Sequence, residues 1–340
     1  MAWYNEKGEM QDVVISTRVR LARNLADYPF ASRLSDKQAD EIIEKVSDVL
    51  PEYGAEKFFD GNTAKCVSYM EMHYVSPEFA ASNRHRALLS GEGDRVKIMV
   101  CEEDHLRIQG IVAGFDPQRA FEYVSGVDDR LGKALNIAFS EKYGYLTHCP
   151  TNLGAAMRVS AMLCLPALST QRSFEAYVNA ASKMGITVRG LYGENSRASG
   201  KLYQISNRAS LGASEGEIIK LMTEVVTKLV EAERKARSAL YEADKARLTD
   251  KIARCTGILK NAYMLSSGEV SESFDELKYG LSLGIISGIS EERLTELLIA
   301  SQPATVSRIG EGLDDEGARD VARASLVRGM LRDVSINYGK

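Results

Sequence analysis

Extended patterns fill the first two thirds of this chain and then stop. Between residues 13 and 207, short apolar runs with two-residue alternation recur. From Ser214 onward only helical spacing remains, predicting helices over residues 214–241, 248–265, 271–283, 290–299 and 314–331. Ser214 followed by Glu217 is a capping box at the start of the first of these. Strands first and helices last argue against a wound βαβ sheet. The predicted fold class is α+β: an antiparallel sheet flanked by helices over residues 1–240, then an all-helical domain over residues 241–340. At 340 residues the chain can bury a full core. A net charge of −4 argues against a protein held to nucleic acid by phosphate contacts. No apolar run is long enough to span a bilayer, and the N-terminus lacks a signal-peptide pattern, so no membrane partner is expected. Five scattered cysteines (Cys66, Cys101, Cys149, Cys164, Cys255) form no C-x-x-C pair. That spacing argues against a zinc site and fits a reducing cytoplasm.

Within the sheet-forming part, residues 98–108 concentrate the chemistry. An apolar run (Ile98, Met99, Val100) gives way to Glu102, Glu103, Asp104 and His105, and a second run opens at Leu106 with Arg107 inside it. Crowded carboxylates repel unless cations face them, so this is either a solvated hairpin turn or an acid cluster with basic partners elsewhere. Residues 13–21 read as a strand on which Arg18 and Arg20, two apart, share a side. Such a pair holds one polyphosphate or guards a strand edge.

The remaining expectations follow the chain. A helix covers residues 35–50 with Ser35 as cap, and residues 65–75 are strand-like. Ser76 and Pro77 open another helix, whose end carries Arg84, His85 and Arg86. These are nucleotide contacts or cations favoured at a helix C-terminus. Strands over residues 95–101 and 106–113 flank the acidic turn. A helix over 117–140 and a short strand over 144–147 lead to Cys149, which precedes a predicted helix over 155–165 containing Arg158. A thiol before a helix N-terminus is a stabilised thiolate or an inert buried side chain. After a helix over 171–184, a strand over 186–193 ends at Glu194. The loop 195–200, with Arg197, is an active-site flap or a plain hairpin connection before the strand 202–207.

Four segments, in this order, resemble the guanidino (phosphagen) kinases: Ser16-Thr17-Arg18-Val19-Arg20; Glu102 to Ile108; Cys149 to Gly154 with Arg158; and Arg189-Gly190 with Gly193-Glu194. The resemblance covers residues 12–240. It departs from phosphagen kinases in two ways. Their small helical domain before the first strand is not expected here. A C-terminal helical domain containing Arg319-Asp320-Val321-Ala322-Arg323-Ala324 is present instead. That arrangement is similar to the bacterial protein-arginine kinases.

The resemblance implies ATP with Mg²⁺ held by phosphates and water, with no dedicated metal-ligand set. It implies Glu103 as base toward a guanidinium, Glu194 as a second substrate carboxylate, and Cys149 tuning the site. Arg18, Arg20, Arg107, Arg158 and Arg189 would bind the phosphates, with His73, His85, Arg86 and Arg197 as further nucleotide candidates. Arg319, Asp320 and Arg323 would form an allosteric phosphoarginine site; the same two residues, Asp320 and Arg323, would otherwise be a surface ion pair. Implied partners are proteins with exposed arginines, including a heat-shock repressor, a Clp-type AAA+ protease, a zinc-binding activator, and a second copy of the chain or more. Two positions depart within the motifs: Cys101 stands where the family carries Asn, and Ala155 where it carries a small polar residue. The competing readings are a kinase for free arginine and a non-catalytic phosphoarginine-binding adaptor.

Overall fold

A computed structural model describes residues 2–59, 64–190, 201–310, 312–313 and 315–338. Its framework is an eight-stranded sheet, antiparallel throughout. The strands are β1 (Val14–Arg23), β2 (Gly54–Phe58), β3 (Arg86–Gly91), β4 (Val96–Val100), β5 (Leu106–Ala113), β8 (Met157–Cys164), β9 (Ile186–Gly190) and β10 (Leu202–Asn207), in the order β2-β3-β4-β5-β1-β8-β10-β9. The excursion between β5 and β8 forms a small hairpin from β6 (Phe139–Ser140) and β7 (Gly144–Tyr145).

Alternation along the central strand divides the sheet into two faces. On β1, Thr17, Val19 and Leu21 are buried, while Arg18 and Arg20 are partly exposed. The buried face lies under α1 (Asp36–Val49), α4 (Pro117–Ala134) and α6 (Glu215–Ala243). Helix α1 carries Ala39, Ile42, Ile43 and Val46 inward at helical spacing and starts at the Ser35–Gln38 capping box. Each such fully buried aliphatic side chain contributes about 1.5–3 kcal/mol. Helix α4 approaches β5 so closely that a Cβ on Gly110 would sit 2.5 Å from the Ala120 carbonyl oxygen.

The other face is covered at one end by α2 (Ala64–Glu71) and α3 (Pro77–Ala81), which pack Phe79, Cys66 and Val75 against Leu88 and Met99. It is open near its centre. The remaining helices are α5 (Phe174–Lys183), beside β9, and a C-terminal group: α7 (Lys245–Asn261), α8 (Ser267–Ser282), α9 (Glu291–Ala300), α10 (Pro303–Ser307) and α11 (Glu316–Met330). Phe274, Leu277, Leu294, Leu297 and Val327 of this group form one apolar cluster with Ile15, Ile111, Met162, Cys164 and Leu202 of the sheet, and the group holds a two-residue ladder of β11 (Ile286–Ser287) with β12 (Ser335–Ile336).

The antiparallel α+β framework and the C-terminal helices match the sequence-based expectation. Several local assignments do not. Residues 65–75 form α2 and a turn rather than a strand. Residues 157–164 are a central strand, not a helix. Their composition suits either state, but Val159, Ala161 and Leu163 face the core while Arg158 is left partly exposed opposite it, a two-residue period. Strands β2 and β3 lay unrecognised between helical assignments, and the Pro77 helix ends at Ala81, before Arg84, His85 and Arg86. The C-terminal portion contains the β11–β12 ladder as well as helices.

Candidate active site

The open face of the sheet is a field of arginines whose positions follow from register. Arg18 lies beside Ser160 and Ile111, Arg20 lies directly opposite Arg158 on β8, and Arg107 on β5 pairs with Ala22. Arg189 on β9 faces Gln204 on β10. Four strands therefore bring five guanidinium groups to one face. Among the described residues, Arg18 and Arg20 have no side-chain hydrogen-bond partner, and the Nε atoms of Arg20 and Arg158 are buried and unsatisfied. Arg158 donates from Nη2 to Ser206 Oγ at 2.9 Å. Burial and the neighbouring Arg158 bring Arg18 down to about 10. Burial and the surrounding arginines hold Arg20 well below its ordinary value. Burial, Arg189 and Arg107 also lower the pKa of Arg158. Cations crowded this way are costly without an anion among them, and a polyphosphate supplies one.

The acidic turn closes one end of this field. Arg107 bridges to it: Nε lies 2.9 Å from Glu102 Oε2, and Nη2 pairs with Glu103. Burial opposes the charge of Arg107, but Glu102, Glu103 and Asp104 outweigh it and raise its pKa. The three acids are not equivalent. Glu102 is 2% exposed and accepts from Ser76 Oγ at 2.6 Å, whereas Glu103 keeps 36% of its side chain exposed. Asp104 is fully buried; its Oδ1 accepts from Asn24 Nδ2 and from the His148 backbone N–H, both at 2.8 Å. Asp104 thus pins the segment leading to Cys149 against the turn. His105 is buried, which lowers its pKa; Nδ1 accepts from the Leu25 N–H and Nε2–H donates to the Pro29 carbonyl. Glu103 is the acid of this turn that faces solvent beside the arginines.

The family model for the "ATP:guanido phosphotransferase, C-terminal catalytic domain" matches residues 39–236, and that for the "Protein-arginine kinase McsB C-terminal domain" matches residues 245–338. The chain belongs to the ATP:guanido phosphotransferase family. Within that family it groups with the protein-arginine kinases, and it is an ATP-dependent phosphotransferase of that branch. It is 40% identical to the protein-arginine kinase of Clostridium acetobutylicum over 97% of this chain and 99% of that one. It is 38% identical to that of Bacillus subtilis, over 97% and 93%. Among solved structures it resembles the duplicated taurocyamine kinase of Schistosoma mansoni with bound transition-state-analogue components (TM-score 0.56, 25% identity, 67% of this chain and 33% of that one). The fold is also that of a lombricine kinase (TM-score 0.57, 22% identity, 67% and 68%).

The other family-type positions distribute unevenly. Cys149 caps a single 3₁₀ turn (Pro150–Asn152), not a helix, and its Sγ lies 3.0 Å from Thr151 Oγ1. His73 lines a cavity with Arg18, Ser160 and Gln204, and burial together with Arg18 holds its pKa down at about 3. His85 and Arg86 do not join the arginine field. His85 faces Asp40 at 3.1 Å on α1. Arg86 is fully buried between Phe58 and Phe79 and donates from Nε to the Phe79 carbonyl at 2.8 Å, a framework contact. Glu194 and Arg197 lie outside the described residues. In the C-terminal portion, the Asp320–Arg323 pair is not on the surface. Arg323 is 2% exposed, pairs with Asp320, and donates to the carbonyls of Ser301 and Leu265, both at 2.7 Å. Arg319 donates to the Leu313 carbonyl. Ser76 and Asn24 are structural members of the site without a motif of their own. Ser76 was visible only as a helix cap, and Asn24 only through the register that places it beside Asp104.

Proposed function

We propose that this protein transfers the γ-phosphoryl group of ATP to arginine side chains of other proteins. The observation that carries the reading is the unsatisfied arginine field abutting a solvent-facing Glu103. A guanidinium is a poor nucleophile while fully protonated. Glu103 would hold the substrate guanidinium by charge-assisted hydrogen bonds and accept its proton as the N–P bond forms and the bond from phosphorus to the ADP oxygen breaks. Arg18, Arg20, Arg107, Arg158 and Arg189 would hold the phosphates, since phosphoryl transfer depends mainly on positioning and charge neutralisation. Glu194 would be the second substrate carboxylate, and Cys149, beside the turn pinned by Asp104, would tune the guanidinium pocket. His73, with Arg197, would complete the nucleotide site. Among the described residues no three acids, histidines or cysteines gather as a metal-ligand group. Mg²⁺ would be carried by nucleotide phosphates and water and would neutralise charge on the transferring group.

The catalytic unit would span residues 1–240 and the helical unit residues 241–340. The latter would bind phosphoarginine through Arg319 and Asp320, with Arg323 holding Asp320 in place, and would support dimers or larger assemblies. In the cytoplasm the marked proteins, a heat-shock repressor among them, would pass to a Clp-type AAA+ protease, with a zinc-binding protein as activator. Among the described residues no helix is long and apolar enough to cross a membrane.

The test is a kinase assay with Mg-ATP offering an unfolded protein and free arginine together, read by mass spectrometry at neutral-to-basic pH. Phosphate on protein arginines alone supports the reading. Transfer to free arginine would reassign the substrate, and transfer to neither with activator present would favour a binding adaptor.

A further inference from the structure

The turn that carries His73 is gripped from the C-terminal helices at two independent points. Glu71, at the end of α2, accepts from the backbone N–H groups of Ala304 (2.8 Å) and Thr305 (2.7 Å) and from Thr305 Oγ1 (2.8 Å). Its carboxylate thereby caps α10. One turn earlier, Ser68 Oγ accepts from Arg308 Nη1 at 2.6 Å. The second grip comes through Trp3. Trp3 is fully buried in the apolar cluster that also contains Leu294, Leu297 and Leu298 of α9. Its Nε1 donates to the Met72 carbonyl at 3.1 Å, and its ring stacks on His73 at 5.9 Å between centroids, 18° from parallel.

His73 itself is held in an uncommon backbone state, with φ of +63°, and its carbonyl accepts from Gln109 Nε2 of β5 at 2.7 Å. Its ring lines the cavity that contains Arg18, Ser160 and Gln204. A left-handed, non-glycine turn persists only where its surroundings over-determine it. Here part of those surroundings belongs to the C-terminal helices, through Ala304, Thr305 and Arg308. On the other side, α10 follows Ser301, whose carbonyl receives Arg323 of α11. The contacts therefore run without a gap from α11 through α10 and Glu71 to the wall of the arginine-lined cavity.

We propose that the C-terminal helices set nucleotide affinity by holding the His73 turn, with Glu71 and Trp3 as positioning residues. This rests on the reading that ATP occupies the arginine field. Loosening either grip lets the turn leave its strained state, and the cavity beside Arg18 loses its wall. Coupling between packed elements of this kind changes affinity by about 5- to 150-fold.

The full-length chain supplies its own reporter, since Trp3 is its single tryptophan. ADP and ATP are titrated against Trp3 fluorescence, and against calorimetry where Trp3 is replaced. Glu71→Gln, Thr305→Val and Trp3→Leu are each expected to weaken nucleotide binding at least about fivefold. They raise KM for ATP while kcat at saturating ATP stays within about twofold. Thr305→Val lies outside the sheet-bearing portion and deletes one hydroxyl, so it keeps the test open should Trp3→Leu fail to fold. Wild-type nucleotide affinity in Glu71→Gln and Thr305→Val together, or a fall in kcat with KM unchanged, overturns the proposal. Undiminished ATP binding by Arg20→Ala would instead remove the nucleotide reading beneath it, and this proposal with it.

Discussion

Two sets of arginines on the same framework have opposite surroundings. Arg23, on the helix-covered face of β1, is saturated. It forms a bidentate pair with Asp128 at 2.9 and 2.7 Å, donates to the Ala22 carbonyl, and stacks on Tyr145 at 3.4 Å. Arg237 on α6 is likewise paired with Glu233 at 2.7 Å and donates to the carbonyls of Asp12 and Cys164. Three residues before Arg23 on the same strand, Arg20 has a buried Nε with nothing to donate to, and Arg158 opposite it is short of a partner in the same way. Around Arg23 and Arg237 the framework supplies the acid as well. Around Arg20 and Arg158 it leaves the cations unanswered, as a site awaiting a bound anion would, and Glu103 stands at the edge of that vacancy of charge.

Glu103→Gln should give the largest effect, lowering kcat by about 10²–10⁴ with the melting temperature unchanged; a variant with normal turnover would remove Glu103 from the chemistry. Next, Arg237→Ala should cost about 3–5 kcal/mol in denaturant unfolding, because Glu233 is then left buried and unpaired. Arg20→Ala should be neutral or stabilising and yet lose nucleotide binding. Equal destabilisation by the two substitutions would erase the contrast between the sets. Third, ATP at about 100 times its Kd should stabilise the wild type by about 2.7 kcal/mol and Arg20→Ala hardly at all, measured as a shift in melting temperature.

The smallest expected effect concerns an acid on the saturated side. Asp275 on α8 accepts from the Lys201 N–H and from Cys164 Sγ (3.3 Å). Burial pushes its pKa up to about 6, against the pull of those donors. The folded protein then holds this proton more tightly than the unfolded chain. Its contribution to stability is present below about pH 4 and lost as pH rises through about 6. Asp275→Asn should flatten that part of the stability–pH profile, by on the order of 2 kcal/mol; an unchanged slope would show that Asp275 is not the group responsible.

The arginine field was legible in part because it uses a simple rule. Arg18 and Arg20, spaced by two, had to share a face in any strand, and the acid run between two apolar stretches had to be a turn. That Arg158 sits opposite Arg20 could not be read, because residues 157–164 suit a helix by composition and their two-residue period shows only against a known core. Asp104 looked like one acid of three. Its partners are Asn24, brought close by the register of β1 with β5, and His148, brought close by the excursion between β5 and β8, both far away in sequence. Arg86 and His85 could be read as nucleotide contacts or as cations at a helix end, because a cation in sequence carries no sign of direction. The Phe58 and Phe79 rings and the Asp40 carboxylate turn them to framework use.

Strand β1 carries the Arg18 and Arg20 cations on one face and the core-facing Val19 and Leu21, with the Arg23 anchor, on the other. Inserting or deleting one residue there would turn Arg18 and Arg20 into the helices and expose Val19 and Leu21 to solvent. No neighbouring loop could absorb the error, since β1 is hydrogen-bonded on both edges. Over evolutionary time such a strand should accept substitutions and refuse changes in length. Diversity among relatives should therefore collect at the sheet's outer strands and their connections, leaving the centre as a fixed ruler against which the rest is measured.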